Sequence, residues 1–148
     1  MMHIKILDQA FEPYAQLQGY QASLSAEARG FGATSVFVGT MRDFNQGVQV
    51  QRMVLEHYPG MTEKELSRIA SEAEQKWEIL DGLILHRVGE ITPPDSIVLV
   101  AIWSRHRLDA FEACRYIMEA LKSRAPFWKK EALDTGERWL DKNTAGYK

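Results

Sequence analysis

Cysteine is almost absent from this chain, since Cys114 is the only one among 148 residues. A single cysteine cannot form an internal disulfide and would leave a metal site dependent on other ligands. The histidines have no close metal-ligand spacing, and no HExxH or CxxC sequence occurs. The chain also lacks GxxxxGK before Ser or Thr, and GxGxxG after a strand. These absences exclude the common zinc and nucleotide motifs, and we predict neither a metal nor a cofactor.

Long apolar runs are missing as well. No segment approaches the roughly 18 apolar residues of a membrane-spanning helix. The opening MMHIKILDQAF has no apolar stretch of the signal-peptide kind. We therefore expect a cytoplasmic protein. No linker, repeat or low-complexity tract divides the chain, so we predict one domain over residues 1–148, with a mobile polar tail at 141–148.

Positive charge is concentrated in one part of the chain. The composition is that of a globular protein, with 45% hydrophobic residues and a formal net charge of -2. Between residues 105 and 130, seven basic side chains stand against three acidic ones. A local positive field in an acidic chain favours a small anionic ligand over general nucleic-acid binding. A solvated helix face would explain the same pattern.

Apolar periodicity predicts the order of strands and helices. Residues 33–41 and 48–58 are predicted to form an antiparallel pair joined by the turn formers at 42–47. Thr62 is predicted to begin a helix with a Thr62–Glu65 capping box. The other predicted strands cover 3–8, 83–88, 96–104, 127–133 and 138–140, and the other predicted helices cover 13–22 and the segment before Pro126.

This order mixes hairpins with two main helices and predicts an α+β fold, in which helices cover one face of an antiparallel or mixed sheet. An alternating Rossmann arrangement is disfavoured. In the last helix we expect one face to pack on the sheet, made of Ala110, Phe111, Cys114, Ile117, Met118 and Leu121.

Cys114 lies on that apolar helix face, where a thiol is buried and unreactive. If the protein handles sulfur, the sulfur must therefore arrive on another molecule. The histidines near strand ends are interpreted as structural.

Two lysines are better candidates for chemistry. Lys122 lies in the last helical turn, and Lys129 lies on the strand beyond Pro126. An ammonium group near other cations loses some preference for its charged form, so its pKa falls and it becomes a plausible acid, base or nucleophile. Strand alternation places Lys129 and Lys130 on opposite faces, so both cannot face one pocket.

Arginines at strand ends suggest an anion site. Arg42 lies where a strand enters a turn, and His106 and Arg107 lie where a strand gives way to a helix. Helix-start amides and guanidinium groups together favour phosphate. For each arginine alone, a surface salt bridge is the alternative interpretation.

Five segments resemble one known family: FVGTMRDFNQG, LEHYPGMTEK, HRVGE, HRLDAFEACRYIMEALKSRAPFWKKE and GERW. Over residues 32–140 the chain resembles the large, catalytic subunit of molybdopterin synthase. The resemblance implies an α/β-hammerhead fold with a small β subdomain. It also implies a dimer of large subunits with a small subunit at each end.

The resemblance implies a sulfurtransferase of molybdenum cofactor biosynthesis. Its substrate is cyclic pyranopterin monophosphate, which receives two sulfurs as a dithiolene. The donor is the C-terminal Gly-Gly thiocarboxylate of a small ubiquitin-like subunit. By resemblance, the catalytic residues are Lys122 and Lys129, and the substrate-binding residues are Thr40, Met41, Arg42, His106, Arg107, Lys130 and Glu131.

These positions suggest roles as hypotheses. Arg42, His106 and Arg107 would hold the cyclic phosphate and pterin. Lys122 would polarise or protonate the reacting centre, and Lys129 would steer the thiocarboxylate or carry protons.

Two alternatives belong to other classes of protein. A nucleic-acid-binding module would use the basic and aromatic residues near Phe127 and Trp128. The acidic total charge and the lack of an RNP-like strand motif disfavour it. An inactive scaffold is disfavoured because Lys122 and Lys129 are both present.

Overall fold

The computed structural model describes residues 2–45, 48–133 and 136–140, of which 44, 45, 48–50, 131–133 and 136–140 are described as backbone alone. The strands are β1 (Met2–Leu7), β2 (Ala33–Thr40), β3 (Phe44–Asn45), β4 (Val48–His57), β5 (Asp81–Arg87), β6 (Gly89–Ile91), β7 (Ser96–Ser104), β8 (Phe127–Leu133) and β9 (Gly136–Leu140). The helices are α1 (Pro13–Ala22), α2 (Met61–Lys76) and α3 (Arg107–Arg124), with a 3-10 turn at Ala28–Gly30. Within these residues, no helix has both the length and the apolarity needed to cross a membrane.

The first sheet has the strand order β1-β5-β7-β2. β1 is parallel to β5, and the other neighbours are antiparallel. The apolar runs GLIL in β5 and IVLVAIW in β7 are almost entirely buried. Such continuous runs suit strands that are covered on both faces. The prediction of an α+β fold with a mixed sheet is confirmed.

Helices cover both faces of this sheet. Side chains alternate along β7, so its apolar residues point to both faces and both must be covered. On one face, Val100 packs with Ile69 of α2 and Ile117 of α3. On the other face, Trp103 packs in a cluster with Leu17 of α1. The prediction that helices cover a single face therefore holds for α2 and α3 and is wrong for α1.

The second sheet has five strands, in the order β3-β4-β8-β9 with β6 also pairing with β4. Its core contains Met41, Met53, Leu55 and Ile91. This sheet corresponds to the small β subdomain that the resemblance implies, while the hammerhead description stays a prediction.

The predicted antiparallel pair of residues 33–41 with 48–58 is wrong. β2 pairs with β7 in the first sheet, whereas β4 pairs with β3, β6 and β8 in the second. A short antiparallel pair, β3 with β4, lies in this part of the chain, and in it Phe44 pairs with Gln49. A strand's composition indicates extended backbone, but its partner is decided by which core its side chains fill.

The start of α2 differs from the predicted capping box. The helix begins at Met61, and its N-cap is Gly60, whose φ of 87° suits glycine. A Glu63 Oε1 accepts a hydrogen bond of 2.9 Å from the Gly60 N–H. The capping pair is therefore Gly60 and Glu63, two residues earlier than the predicted Thr62 and Glu65. The Thr62 hydroxyl does not cap the helix and makes other hydrogen bonds.

The prediction for α3 is confirmed for most of its buried face, including Cys114 and Ile117. It is wrong for Phe111, whose side chain is 65% exposed. Buried positions recur at intervals of three and four residues, and Phe111 lies just beyond the edge of that stripe.

The predicted strands near the C-terminus are confirmed as β8 and β9. Of the predicted turn between them, residues 134 and 135 lie outside the described residues, as does the tail at 141–148. The predicted short helix at 13–22 is confirmed as α1.

Truncating the core side chain Ile69 tests the packing of α2. Ile69 is fully buried and Ser71 of the same helix is exposed. We expect Ile69→Ala to lower the free energy of unfolding by about 2–5 kcal/mol because it leaves a cavity. The matched Ser71→Ala should change it by less than about 0.5 kcal/mol. Urea denaturation at equal protein concentration measures both, and equal midpoints would contradict this packing.

Candidate functional site

The two candidate lysines meet at the C-terminal end of α3. Lys122 lies in the last turn of α3, and Lys129 lies on β8 opposite Leu55 of β4. Pro126 lies between them, where the chain turns from helix into strand. Their side chains hydrogen-bond to each other. An ammonium group has donors and no acceptor, so one amine of this pair must be neutral for the bond to form.

The surroundings of Lys122 favour its neutral form. Burial lowers the pKa of Lys122 below its ordinary value, the bond with Lys129 acts in the opposite direction, and the nearby Arg42 guanidinium lowers it further. A lysine with a lowered pKa exchanges protons nearer neutral pH than an ordinary lysine does. The structure therefore brings Arg42, Lys122 and Lys129 together, and we call these three residues the cation cluster.

Arg42 follows β2 on a supported turn. The N–H of Met41 donates a hydrogen bond of 2.8 Å to the backbone oxygen of Asp95. Asp95 in turn accepts a bond of 3.0 Å from the buried Arg87 guanidinium, which also donates to the Glu90 carbonyl at 2.7 Å. The backbone beside Arg42 is therefore held in place by a half-buried ion pair.

The other predicted residues of this segment have different positions. Thr40 is exposed at the end of β2, where the register with β7 shifts after Gly39. The Met41 side chain is buried in the core of the second sheet. Met41 can therefore hold Arg42 in place through its backbone, while its side chain fills that core.

Sequence reasoning missed His86, which it treated as structural. His86 lies on β5, is 3% exposed and stacks on Phe127 of β8 with ring centroids 3.9 Å apart. Its Nδ1 is 2.9 Å from the Arg87 carbonyl oxygen. A carbonyl only accepts hydrogen bonds, so Nδ1 carries the proton and Nε2 of the neutral ring is unprotonated.

Burial lowers the pKa of His86 to about 3; the bond to the Arg87 carbonyl opposes this, and the charges of Lys122, Lys129 and His57 reinforce it. His86 is therefore a neutral ring beside the cation cluster. One signal for this residue was available, because a histidine inside the apolar strand sequence GLILHRV needs a specific partner.

The two other predicted residues of β8, Lys130 and Glu131, follow Lys129 along the strand. Lys130 pairs with Val54 and is half-buried, and Glu131 pairs with Met53. Consecutive residues of a strand point to opposite faces, so Lys130 does not share the face of Lys129. The side chain of Glu131 lies outside the described part.

His106 and Arg107 do not reach the cation cluster within one chain. His106 is the N-cap of α3 and Arg107 is its first residue, and both are exposed. α3 contains 18 residues, so Arg107 and Lys122 lie about 22 Å apart along the helix axis. One protomer therefore cannot place both residues on the same small ligand.

The end of α3 is anchored to α2 by charged groups. Arg124 donates to Glu65 at 2.8 Å and to Glu72 at 2.6 Å, and Tyr116 also donates to Glu72 at 2.6 Å. The bond from Arg124, followed by that from Tyr116, lowers the pKa of Glu72 to about 2. This network holds the last turn of α3, which carries Lys122.

Cys114 is buried with 5% exposure, and burial raises the pKa of its thiol. Its interpretation as an unreactive core residue is supported. Among the described residues, no group of three or more His, Cys, Asp or Glu side chains is arranged to hold a metal ion.

The chain was compared with protein families and with known proteins. The MoaE protein family matches residues 11–124. This chain belongs to the MoaE family. It is 49% identical over 141 residues to a molybdopterin synthase catalytic subunit of Ralstonia nicotianae, covering 95% of this chain and 78% of that protein.

Solved structures of MoaE proteins share the fold. The molybdopterin biosynthesis MoaE protein of Burkholderia ambifaria is 46% identical, with a TM-score of 0.80 and coverage of 99% of this chain and 94% of that one. Molybdopterin synthase of Staphylococcus aureus is 33% identical, with a TM-score of 0.80 and coverage of 93% and 98%. The α+β architecture with two sheets is therefore the MoaE fold.

The neutral His86 predicts how the stability of this MoaE protein depends on pH. Its pKa in the folded chain is about 3, below the ordinary value of 6.5, so the unfolded chain binds more protons between these values. Stability should fall as pH drops below 6.5, by up to about 1.4 kcal/mol per pH unit.

The window from pH 6.5 to 4.5 isolates His86, because the lowered pKa values of Glu72 and Asp95 act on stability below it. We expect His86→Phe, which keeps a stacking ring, to reduce the pH slope in that window. Urea unfolding at several pH values measures the slope. An unchanged slope would contradict the neutral buried state of His86.

Proposed function

We propose that this chain is the catalytic subunit of a molybdopterin synthase. In this proposal it is a sulfurtransferase that moves sulfur from the C-terminal thiocarboxylate of a small ubiquitin-like subunit to cyclic pyranopterin monophosphate. Two transfers form the dithiolene of molybdopterin. The observation that carries the proposal is the cation cluster of Arg42, Lys122 and Lys129, in a chain that belongs to the MoaE family.

The cation cluster suits two anionic reactants. A guanidinium group forms forked hydrogen bonds with phosphate oxygens, so Arg42 is the residue that binds the cyclic phosphate. Negative charge develops on that phosphate as its ring opens to the monoester, and a fixed cation stabilises this charge. The thiocarboxylate of the small subunit is also an anion, and the same positive field attracts it.

Lys122 and Lys129 divide the proton chemistry. Lys122 has the lowered pKa, polarises the centre that the sulfur attacks, and donates a proton to the oxygen that leaves that carbon, either as the phosphate ring opens or as water. Lys129 orients the incoming thiocarboxylate and exchanges protons with Lys122 through their mutual hydrogen bond. The carbon–sulfur bond of the thiocarboxylate then breaks by hydrolysis, which leaves sulfur on the pterin and an ordinary carboxylate on the small subunit.

The buried Cys114 supports an imported sulfur. Its thiol is packed in the core with a raised pKa, so it does not serve as a sulfur carrier. The remaining sulfur-bearing side chains are thioethers of methionine, which do not form persulfides. The sulfur must therefore enter on the partner.

We further propose that His106 and Arg107 complete the site of a second copy of this chain. Leu108 and Phe111 are 64% and 65% exposed on the N-terminal half of α3. Phe111 lines a groove of about 510 Å³ together with Phe37 of the edge strand β2. Two copies packed about a two-fold axis here would run their α3 helices antiparallel. The N-terminus of one α3 would then approach Lys122 of the other.

Removing the amine of Lys122 tests the proposed reaction. We expect Lys122→Ala to lower product formation by about 10²–10⁴-fold because it removes the proton-transferring group. Binding of the small subunit should survive. The assay mixes the protein with thiocarboxylated small subunit and the cyclic pterin, and detects dithiolene product as its oxidised fluorescent derivative.

The exposed Lys64→Ala variant on α2 is the matched control and should retain wild-type turnover. Wild-type turnover by Lys122→Ala would refute the role of this lysine. Lack of product with the unmodified protein would refute the proposed function.

Mixing two inactive variants tests the shared site. We expect Lys122→Ala and Arg107→Ala each to be inactive as separate dimers. After subunit exchange, half of the dimers contain one intact site, so about a quarter of wild-type activity should return. The control mixes Lys122→Ala with Lys129→Ala, whose mutated residues lie in the same site, and should recover nothing. Equal results from both mixtures would contradict a site that is shared between protomers.

A further inference from the structure

Thr62 lies beneath the turn that joins the two lysine-bearing elements. It is the second residue of α2 and its side chain is 0% exposed. The hydroxyl oxygen accepts a hydrogen bond of 2.9 Å from the backbone N–H of Tyr58. The hydroxyl donates at 3.0 Å to the backbone oxygen of Pro126. One buried hydroxyl therefore connects the end of β4, the start of α2 and the turn between α3 and β8.

Pro126 is the point at which the path from Lys122 to Lys129 changes direction. α3 ends as Ala125 turns extended, with φ -73° and ψ 132°. The N–H of Ala125 donates back to Leu121 at 3.2 Å, and the N–H of Phe127 donates to Ala125 at 2.9 Å. These two bonds lie within the turn, whereas the bond from Thr62 comes from a different element, α2. The Thr62 bond therefore sets where the turn lies relative to α2.

We propose that Thr62 is a positioning residue whose buried hydroxyl holds the turn at Pro126 so that Lys122 and Lys129 meet. This inference deepens the proposed function. Only its activity test rests on that function, whereas its labelling test does not. Thr62 does not touch the reactants in this scheme. It acts through the backbone that carries both amines.

The groups around Lys122 show what the hydrogen bond from Thr62 to Pro126 would control. Arg42 faces it from the segment after β2, Lys129 from β8, and the neutral His86 lies beside both lysines on β5, with His57 of β4 close to that ring. If the turn moves, the lysine pair separates and Lys122 gains contact with water. The burial that lowers its pKa then weakens, so the pKa should rise toward the ordinary lysine value.

Three substitutions separate the hydroxyl from the rest of the side chain. Thr62→Val keeps the shape but leaves the Tyr58 N–H and the Pro126 oxygen without their partner. Thr62→Ala leaves room for a water molecule that satisfies both groups without fixing their spacing, so it tests the proposal if the valine variant does not fold. Thr62→Ser restores the hydroxyl and should behave as the wild type.

The decisive measurement is competitive acetylation of the full chain with trace acetic anhydride over a range of pH, followed by mass spectrometry of the peptide that contains Lys122. We expect Thr62→Val and Thr62→Ala to raise the labelling midpoint of Lys122 by about half a pH unit or more. Thr62→Ser should leave it unchanged. The exposed Lys64 is the internal reference in each sample.

Ile69→Val is the control for general destabilisation, because it weakens the core under the same helix without contacting Pro126. The same midpoint shift in Ile69→Val, or no shift in both Thr62→Val and Thr62→Ala, would overturn the proposal. In the synthase assay, Thr62→Val and Thr62→Ala should lower kcat with little change in KM for the pterin, and Thr62→Ser should rescue it. If the wild type makes no product, the proposed function fails while the labelling result still decides the role of Thr62.

Discussion

The site depends on two lysines held at hydrogen-bonding distance inside a positive field. Two ammonium groups at this distance would repel each other with little water to screen them, so the hydrogen bond requires one neutral amine. The surrounding backbone sets the distance at which the two amines meet. α3 supplies Lys122, β8 supplies Lys129, and α2 braces the turn between them through Thr62 and through Glu65 and Glu72, which bind Arg124.

The cation cluster also lies where the two sheets meet. Arg42 lies two residues after the end of β2 in the first sheet, and Lys129 belongs to β8 in the second. Between the sheets, the His86 ring of β5 stacks on Phe127 of β8, and Ile97 of β7 packs with the second core. A neutral imidazole suits this junction because it fills space like an aromatic ring and adds no further positive charge. The relative placement of the cations thus depends on how tightly the sheets pack.

Local patterns in the sequence were enough to predict most elements, but not their partners. The apolar run at 96–104 is buried as β7, and the segment after Pro126 is extended as β8. The pairing of β2 with β7 was missed because partner choice depends on residues more than 50 positions away. For the site, charge and spacing indicated the lysines, whereas the distance from Arg107 to Lys122 follows from helix length and the role of His86 follows from tertiary packing.

The burial of Cys114 has a consequence for oxidative damage. A thiol with a raised pKa and almost no exposure reacts slowly with peroxide, because oxidants attack the exposed thiolate. The only cysteine of the chain is therefore shielded from oxidation, whereas the thioether of Met61, which is 60% exposed, stays open to it. In the proposed reaction the reactive sulfur belongs to the thiocarboxylate of the partner, which is consumed at each transfer.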